Sequence, residues 1–168
     1  MKHVILSAIL CLSLSGCAAF QTYSYNAEPP IAKSVSDKYE IQLQPIPCNS
    51  YSGCQGFNLT LANKSNSDIE IDWNKSLFVV NGQTNGGFMF EGTVYKDRNN
   101  SKDPDVVFAN STFSKNIFPN SLVSYNTTLN RWLQAPMYNG EYGAYLRLKI
   151  DGKEQSPKLT TKIIATPN

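Results

Sequence analysis

Few side chains in this chain are equipped for catalysis. His3 is the only histidine and lies three residues from the start. The body of the chain therefore has no imidazole for a Ser-His-Asp or Cys-His centre, nor for a His-containing zinc site. What remains are carboxylates. The segment Asp97-Arg98-Asn99-Asn100-Ser101-Lys102-Asp103-Pro104-Asp105 sets oxygen ligands at every second position, as a calcium loop does. Lys102 stands at its sixth position, where such a loop turns on Gly, and Phe108 at its twelfth, where it needs a bidentate Glu. The expectation is a solvent-exposed inter-strand loop with no metal. Glu70 and Asp72 lie two apart on the outward face of a strand whose inward face is Ile69, Ile71 and Trp73, which suits a solvated face better than an acid/base pair.

The four cysteines divide into Cys11 and Cys17 near the start and Cys48 and Cys54 within the body. The latter two bracket Asn-Ser-Tyr-Ser-Gly, and in an oxidising compartment a disulfide is expected between them. Closing so short a loop adds about 2 kcal/mol in the chain-entropy model, so the bridge should staple a strand-to-strand turn. A redox pair is the weaker reading, because the spacing is not Cys-x-x-Cys and no flanking residue would lower a thiol pKa.

Residues 1–16 have the parts of an export signal: the basic Lys2, an apolar run from Val4 to Leu14, and small residues ahead of Cys17. The run falls short of the roughly 20 apolar residues that span a bilayer, so it reads as a processed signal. Leu14-Ser15-Gly16-Cys17 resembles the lipobox of bacterial lipoproteins. The resemblance implies that the Cys17 thiol is diacylated, that the signal is cut before it, and that the new amino group is often acylated as well. With chains contributing about 0.8 kcal/mol per buried CH₂, such an attachment is effectively permanent. Ala18 follows the cysteine. An Asp there would retain an enteric-type lipoprotein at the inner membrane, so the resemblance implies the outer membrane, on its periplasmic face.

Removal of the signal leaves 152 of the 168 residues, enough for one domain with a real core. Without Lys2 the 15 basic groups fall to 14 against 13 acidic ones, with no charged run, so the electrostatic footprint of a nucleic-acid partner is missing. Residues 17–38 are polar, contain Pro29-Pro30 and lack periodicity, and read as a flexible lipidated tether with a root-mean-square reach of about 25 Å.

From residue 39 onward apolar residues alternate with period two. Tyr39 to Gln44, then Phe57, Leu59 and Leu61, then Ile69, Ile71 and Trp73 read as half-buried strands separated by polar turns. Leu77 to Val80 and Phe88 to Tyr95 read as a further pair, split by the Asn- and Gly-rich residues 81–87. Val106 to Phe108, Leu122 to Leu129, the run Tyr142, Ala144, Leu146, Leu148, Ile150, and Leu159 to Ile164 complete the series. No helical period interrupts it. The expected fold is all-β, an antiparallel sandwich over residues 39–168.

Leu59, Trp73 and Ala144 stand where an immunoglobulin-like domain places its first bridging Cys, its core Trp and its second bridging Cys. Gly140-Glu141-Tyr142-Gly143-Ala144 resembles the tyrosine corner of such domains. Together with Asn63, Ile69-x-Ile71-Asp72-Trp73-x-x-Ser76 and Ile117-Phe118-Pro119-x-Ser121, the chain is similar to a loose family of small bacterial lipoproteins with Ig-like domains. That resemblance brings no catalytic residues with it.

Six Asn-x-Ser/Thr triplets, beginning at Asn58, Asn63, Asn74, Asn99, Asn110 and Asn126, follow from Asn-rich composition. Trp132, Tyr138, Tyr142 and Tyr145, near Met137, form an aromatic cluster in the sequence; Tyr142 reads as core, and sheet-end packing is favoured for Trp132 and Tyr138 over an exposed binding surface. The functional expectation is a non-enzymatic, lipid-anchored envelope module without cofactor, held by membrane lipid through Cys17 and binding or supporting another envelope protein. One alternative is a prophage-type surface exclusion lipoprotein. The other, ranked last, is a carboxylate-dependent carbohydrate-active enzyme using Glu91, Asp103 or Asp105.

Overall fold

The computed structural model describes residues 22–49 and 53–168; the export signal, Cys17 and the tip of the Cys48–Cys54 loop lie outside them. The chain enters through β1 (Tyr23–Glu28) and β2 (Ala32–Val35) and continues into a long hairpin of β3 (Tyr39–Asn49) and β4 (Gly53–Asn63). Short strands follow: β5 (Ile69–Ile71), β6 (Leu77–Val80), β7 (Gln83–Thr84), β8 (Phe88–Phe90) and β9 (Asp105–Val107). Then come β10 (Thr112–Pro119), β11 (Val123–Asn126), β12 (Arg131–Gln134), β13 (Gly140–Tyr145), β14 (Leu148–Ile150), β15 (Lys153–Gln155) and β16 (Lys158–Pro167).

The fold is all-β. One sheet has the order β1-β16-β13-β6-β7 and the other β2-β3-β4-β10-β8, and every pairing is antiparallel. Alternation dictates the core: Ile41, Leu43, Leu59 and Leu61 are fully buried while Gln42, Gln44, Asn58 and Thr60 face outward. Phe57 of one sheet meets Phe78 of the other with ring centroids 6.3 Å apart, and Leu59, Trp73 and Ala144 all lie in this core.

A smaller sheet, β15-β14-β5-β9, extends the two central strands beyond a break in their ladder. The break is stitched rather than open. Asp72 N–H donates to the Arg147 carbonyl (2.9 Å), Arg147 N–H donates to Ser76 Oγ (3.0 Å), and that hydroxyl donates to the Asp72 carbonyl (2.7 Å). Buried Ser76 thus supplies the hydrogen bonds that the interrupted strands lose. Buried Asn63 acts similarly at the far end of the sandwich, its amide donating to the carbonyls of Ser67, Val107 and Phe108.

Three sequence expectations change. The tether expected over residues 17–38 does not extend that far: Tyr23–Glu28 pairs along β16 and Ala32–Val35 along β3, so the domain expected from residue 39 takes in both strands. Pro29-Pro30 is the crossing from one sheet to the other, where the Pro29 carbonyl accepts from Thr161 Oγ1 at 2.6 Å. Second, Leu77–Val80 and Phe88–Phe90 are not partners; they lie in opposite sheets, and Leu77–Val80 instead pairs with β13 and, through the Asn81-Gly82 turn, with β7. Third, the run from Tyr142 to Ile150 is two strands, because Leu146 and Arg147 leave the ladder at the stitched break.

Candidate functional site

Carboxylates were the first candidates for chemistry, and the structure commits two of them, Asp72 and Asp105, to holding the fold. Asp72 accepts from the backbone N–H groups of Asn74 (3.0 Å) and Lys75 (3.2 Å), closing the turn after β5, while Glu70 lies half-buried on the outer face between Ile69 and Ile71. Asp105 opens β9. It accepts from the Trp73 indole N–H at 2.7 Å and forms an ion pair with Lys115. Lys115 is unusual because its register, opposite Leu59 between Phe113 and Ile117, points it toward the core face of β10. Its ammonium lies 4.1 Å from the ring centroid of Phe90 and 5.6 Å from those of Trp73 and Phe113. Aromatic faces and Asp105 together compensate a charge at the sandwich rim.

Glu91 and Asp103 are exposed, although Asp103 lies only two residues before Asp105 and Glu91 directly follows Phe90. Glu91 borders an open groove of about 420 Å³ with Asn58, Phe90, Ser114, Lys115 and Asn116. The groove has one acid, one amine already paired, one hydroxyl, Ser114 Oγ, which bonds to the Asn58 amide, and amides bonded among themselves, as Asn58 Nδ2 is to Asn116 Oδ1 at 2.9 Å. No nucleophile with a base beside it stands in this set.

The loop of residues 97–105 carries its own cation. The Lys102 ammonium donates to the carbonyls of Arg98 (3.0 Å) and Asn100 (2.9 Å), oxygens that a metal ion would otherwise use. Asn74 clamps the same loop: its Oδ1 accepts from Lys102 N–H (2.9 Å) and its Nδ2 donates to the Lys102 carbonyl (2.7 Å). Burial lowers the Lys102 pKa from its ordinary value. Among the described residues no three metal-ligating side chains converge. Lys102→Met is expected to open two carbonyls to solvent and to cost about 0.5–1.5 kcal/mol, with faster hydrogen exchange confined to residues 97–105. Unchanged exchange in that loop would refute the ammonium's structural role.

The disulfide joins Cys48 of β3 to Cys54 of β4. Cys54 is fully buried and exchanges backbone hydrogen bonds with Met137, N–H to carbonyl at 3.0 Å and carbonyl to N–H at 2.7 Å. The hairpin end is thereby tied to the segment leading into β13. The aromatic cluster read from the sequence does not assemble as one surface. Tyr142 is half-buried and stacks on Phe78 at 6.1 Å; desolvation raises its pKa. Tyr145 lies under the Arg147 guanidinium at 5.6 Å. Trp132 is half-buried against Tyr125 across the β11–β12 hairpin, with the Arg98 guanidinium 4.8 Å over its ring.

Tyr138, favoured from the sequence as packed at a sheet end, is 49% exposed, although its ring meets Tyr25 at 5.9 Å. Met137 beside it is fully buried. Tyr23 and Tyr25, assigned to the tether by the sequence reading, belong to this same end of the sandwich, and the alternation of Tyr23, Tyr25 and Ala27 was the available signal for it. No family model, curated protein or solved structure matches the chain.

Proposed function

We propose that Cys17 is the lipidated first residue of a mature bacterial lipoprotein and that the β-sandwich behind it is a membrane-held, non-enzymatic module of the cell envelope, outer membrane favoured. The observation that carries this reading is Leu14-Ser15-Gly16-Cys17, placed directly after a short apolar run. The Cys48–Cys54 bridge is in keeping with an oxidising periplasm. A binding or structural role is favoured because Asp72, Asp105 and Lys102 are spent on turns, ion pairs and loop carbonyls.

An immunoglobulin-like classification of the sandwich is part of the same proposal. It is supported by the order β3-β4-β10-β8 facing β16-β13-β6-β7, and by Tyr142 at the start of β13 stacking on Phe78. The function itself does not follow from that architecture.

Fractionation tests the anchor. The wild-type protein is expected in the membrane pellet with incorporated palmitate, and Cys17→Ser in the soluble fraction or as unprocessed precursor without label. Palmitate retained in Cys17→Ser would overturn the assignment.

A further inference from the structure

Where the chain enters the domain decides how the domain sits. Cys17 and Tyr23 are separated by only five residues, 18–22, which reach about 20 Å at full extension. A 22-residue tether would have let the sandwich tumble freely; this segment holds the start of β1 close to the lipid. Tyr23 pairs with Pro167, and Thr22 accepts a bond from Asn168 N–H at 3.0 Å. Tyr25 touches Tyr138, whose segment contacts Gly53 and Cys54. One end of the sandwich is thus assembled from the start of β1, the end of β16, the disulfide hairpin and the residues before β13.

Charge is segregated along the long axis. Residues 23–27, 44–49, 53–58 and 163–168, which build this end, contain no Asp, Glu, Lys or Arg, and residues 117–140, which adjoin it, contain only Arg131; at its flank Arg98 packs over Trp132 and donates to the Asn120 carbonyl, and Glu91 shares a groove with Gln55 and Gln134. The opposite end, roughly 35 Å away along an eleven-residue strand, carries the ion pairs Lys38–Asp151 and Lys64–Glu40. The uncharged end instead exposes tyrosines, Tyr23 at 37% and Tyr138 at 49%. Tyrosine suits the headgroup layer, where its ring is apolar and its hydroxyl remains hydrated. The strand ends around Tyr23 and Tyr138, without carboxylate or amine side chains of their own, lose little on partial desolvation against lipid.

The geometry points to a second membrane contact in addition to the acyl chains: the sandwich stands on its uncharged tyrosine-bearing end, against the lipid surface, with its charged end directed away. This orientation rests on the lipidation of Cys17 proposed above. The β11–β12 hairpin, with Tyr125 45% and Leu129 54% exposed, emerges beside the same end through Gln134, which donates to the Gln55 carbonyl at 2.8 Å.

The test uses the full protein purified from membranes and reconstituted into phosphatidylethanolamine–phosphatidylglycerol vesicles. A fluorophore is placed at Thr166→Cys, near the uncharged end, or at Lys153→Cys, at the charged end. Flotation with the vesicles reports the anchor; quenching by lipids brominated in the upper acyl chain reports orientation. The expected result is flotation of both, with quenching at residue 166 at least threefold that at residue 153. Flotation with equal quenching at both sites would overturn the orientation and leave the anchor standing. Failure to float would end both. Weak quenching at residue 166 with crosslinking of that site to a protein in native membranes would assign the end to a protein partner and overturn the lipid contact.

Discussion

Trp73→Ala is expected to cost about 3–5 kcal/mol, a large share of the 5–15 kcal/mol available to a domain of this kind. The indole is 2% exposed and packs edge-on against Phe90 at 5.0 Å, so truncation opens a cavity that two sheets cannot collapse to fill. It also removes the N–H that donates to Asp105, leaving that carboxylate to Lys115 alone at the rim. Trp73→Phe narrows the comparison, since it keeps one aromatic ring in the core and deletes the donor together with the pyrrole ring's volume; a smaller loss of about 1–3 kcal/mol is expected. Urea denaturation of the three proteins provides the comparison. A Trp73→Ala variant within 1 kcal/mol of wild type would show that the indole is not a centre of the core.

Gly143→Ala is expected to cost at least about 3 kcal/mol, although it adds one methyl group. A Cβ at Gly143 would lie 1.9 Å from the Leu159 carbonyl oxygen, which is backbone and is held in the β13–β16 ladder by its neighbours. The strands would have to part. Gly82→Ala is the control: Gly82 has φ +82° in the β6–β7 turn but nothing within 4 Å of an added Cβ. Only conformational strain of about 1–2 kcal/mol is expected there. Midpoints in urea with unchanged slopes would rank the two. The reverse order would contradict the sheet geometry.

The all-β class was legible because Ile41/Leu43, Leu59/Leu61 and Ile69/Ile71 alternate with polar neighbours over consecutive strands. The disulfide was legible from the spacing of Cys48 and Cys54 and from the oxidising compartment proposed from the N-terminal segment. What escaped did so for identifiable reasons. Strand β10 runs through the centre of a sheet, yet its inward face reads Phe113, Lys115, Ile117, and a lysine there breaks the apolar alternation. Only the aromatic faces and Asp105, brought from distant segments, make that position tolerable. Strands β1 and β2 escaped because they lie at sheet edges, where few side chains need burial, and because Pro29-Pro30 marks a crossing as readily as a linker.

The β14–β15 hairpin was signalled by Asp151-Gly152, the dipeptide of a two-residue turn, and was obscured by reading the preceding residues as one continuous run. The carboxylate candidates were scattered because their sequence proximity does not carry into space: Asp105 turns to Trp73 and Lys115, while Asp103 and Glu91 remain exposed. The cation of the loop at residues 97–105 was visible in the sequence as Lys102, present where a calcium loop has Gly. Its role needed the carbonyl geometry.

These corrections bring the domain nearer to the residue that anchors the proposal. With β1 starting at Tyr23, attachment at Cys17 becomes a constraint on posture as well as on location. The most direct test is the mass of the N-terminal peptide of protein extracted from membranes. The account predicts a peptide that begins at Cys17 and carries a diacylglyceryl group, with or without an amide-linked acyl chain. A mature terminus beyond Cys17, or a Cys17 with a free thiol, would contradict it.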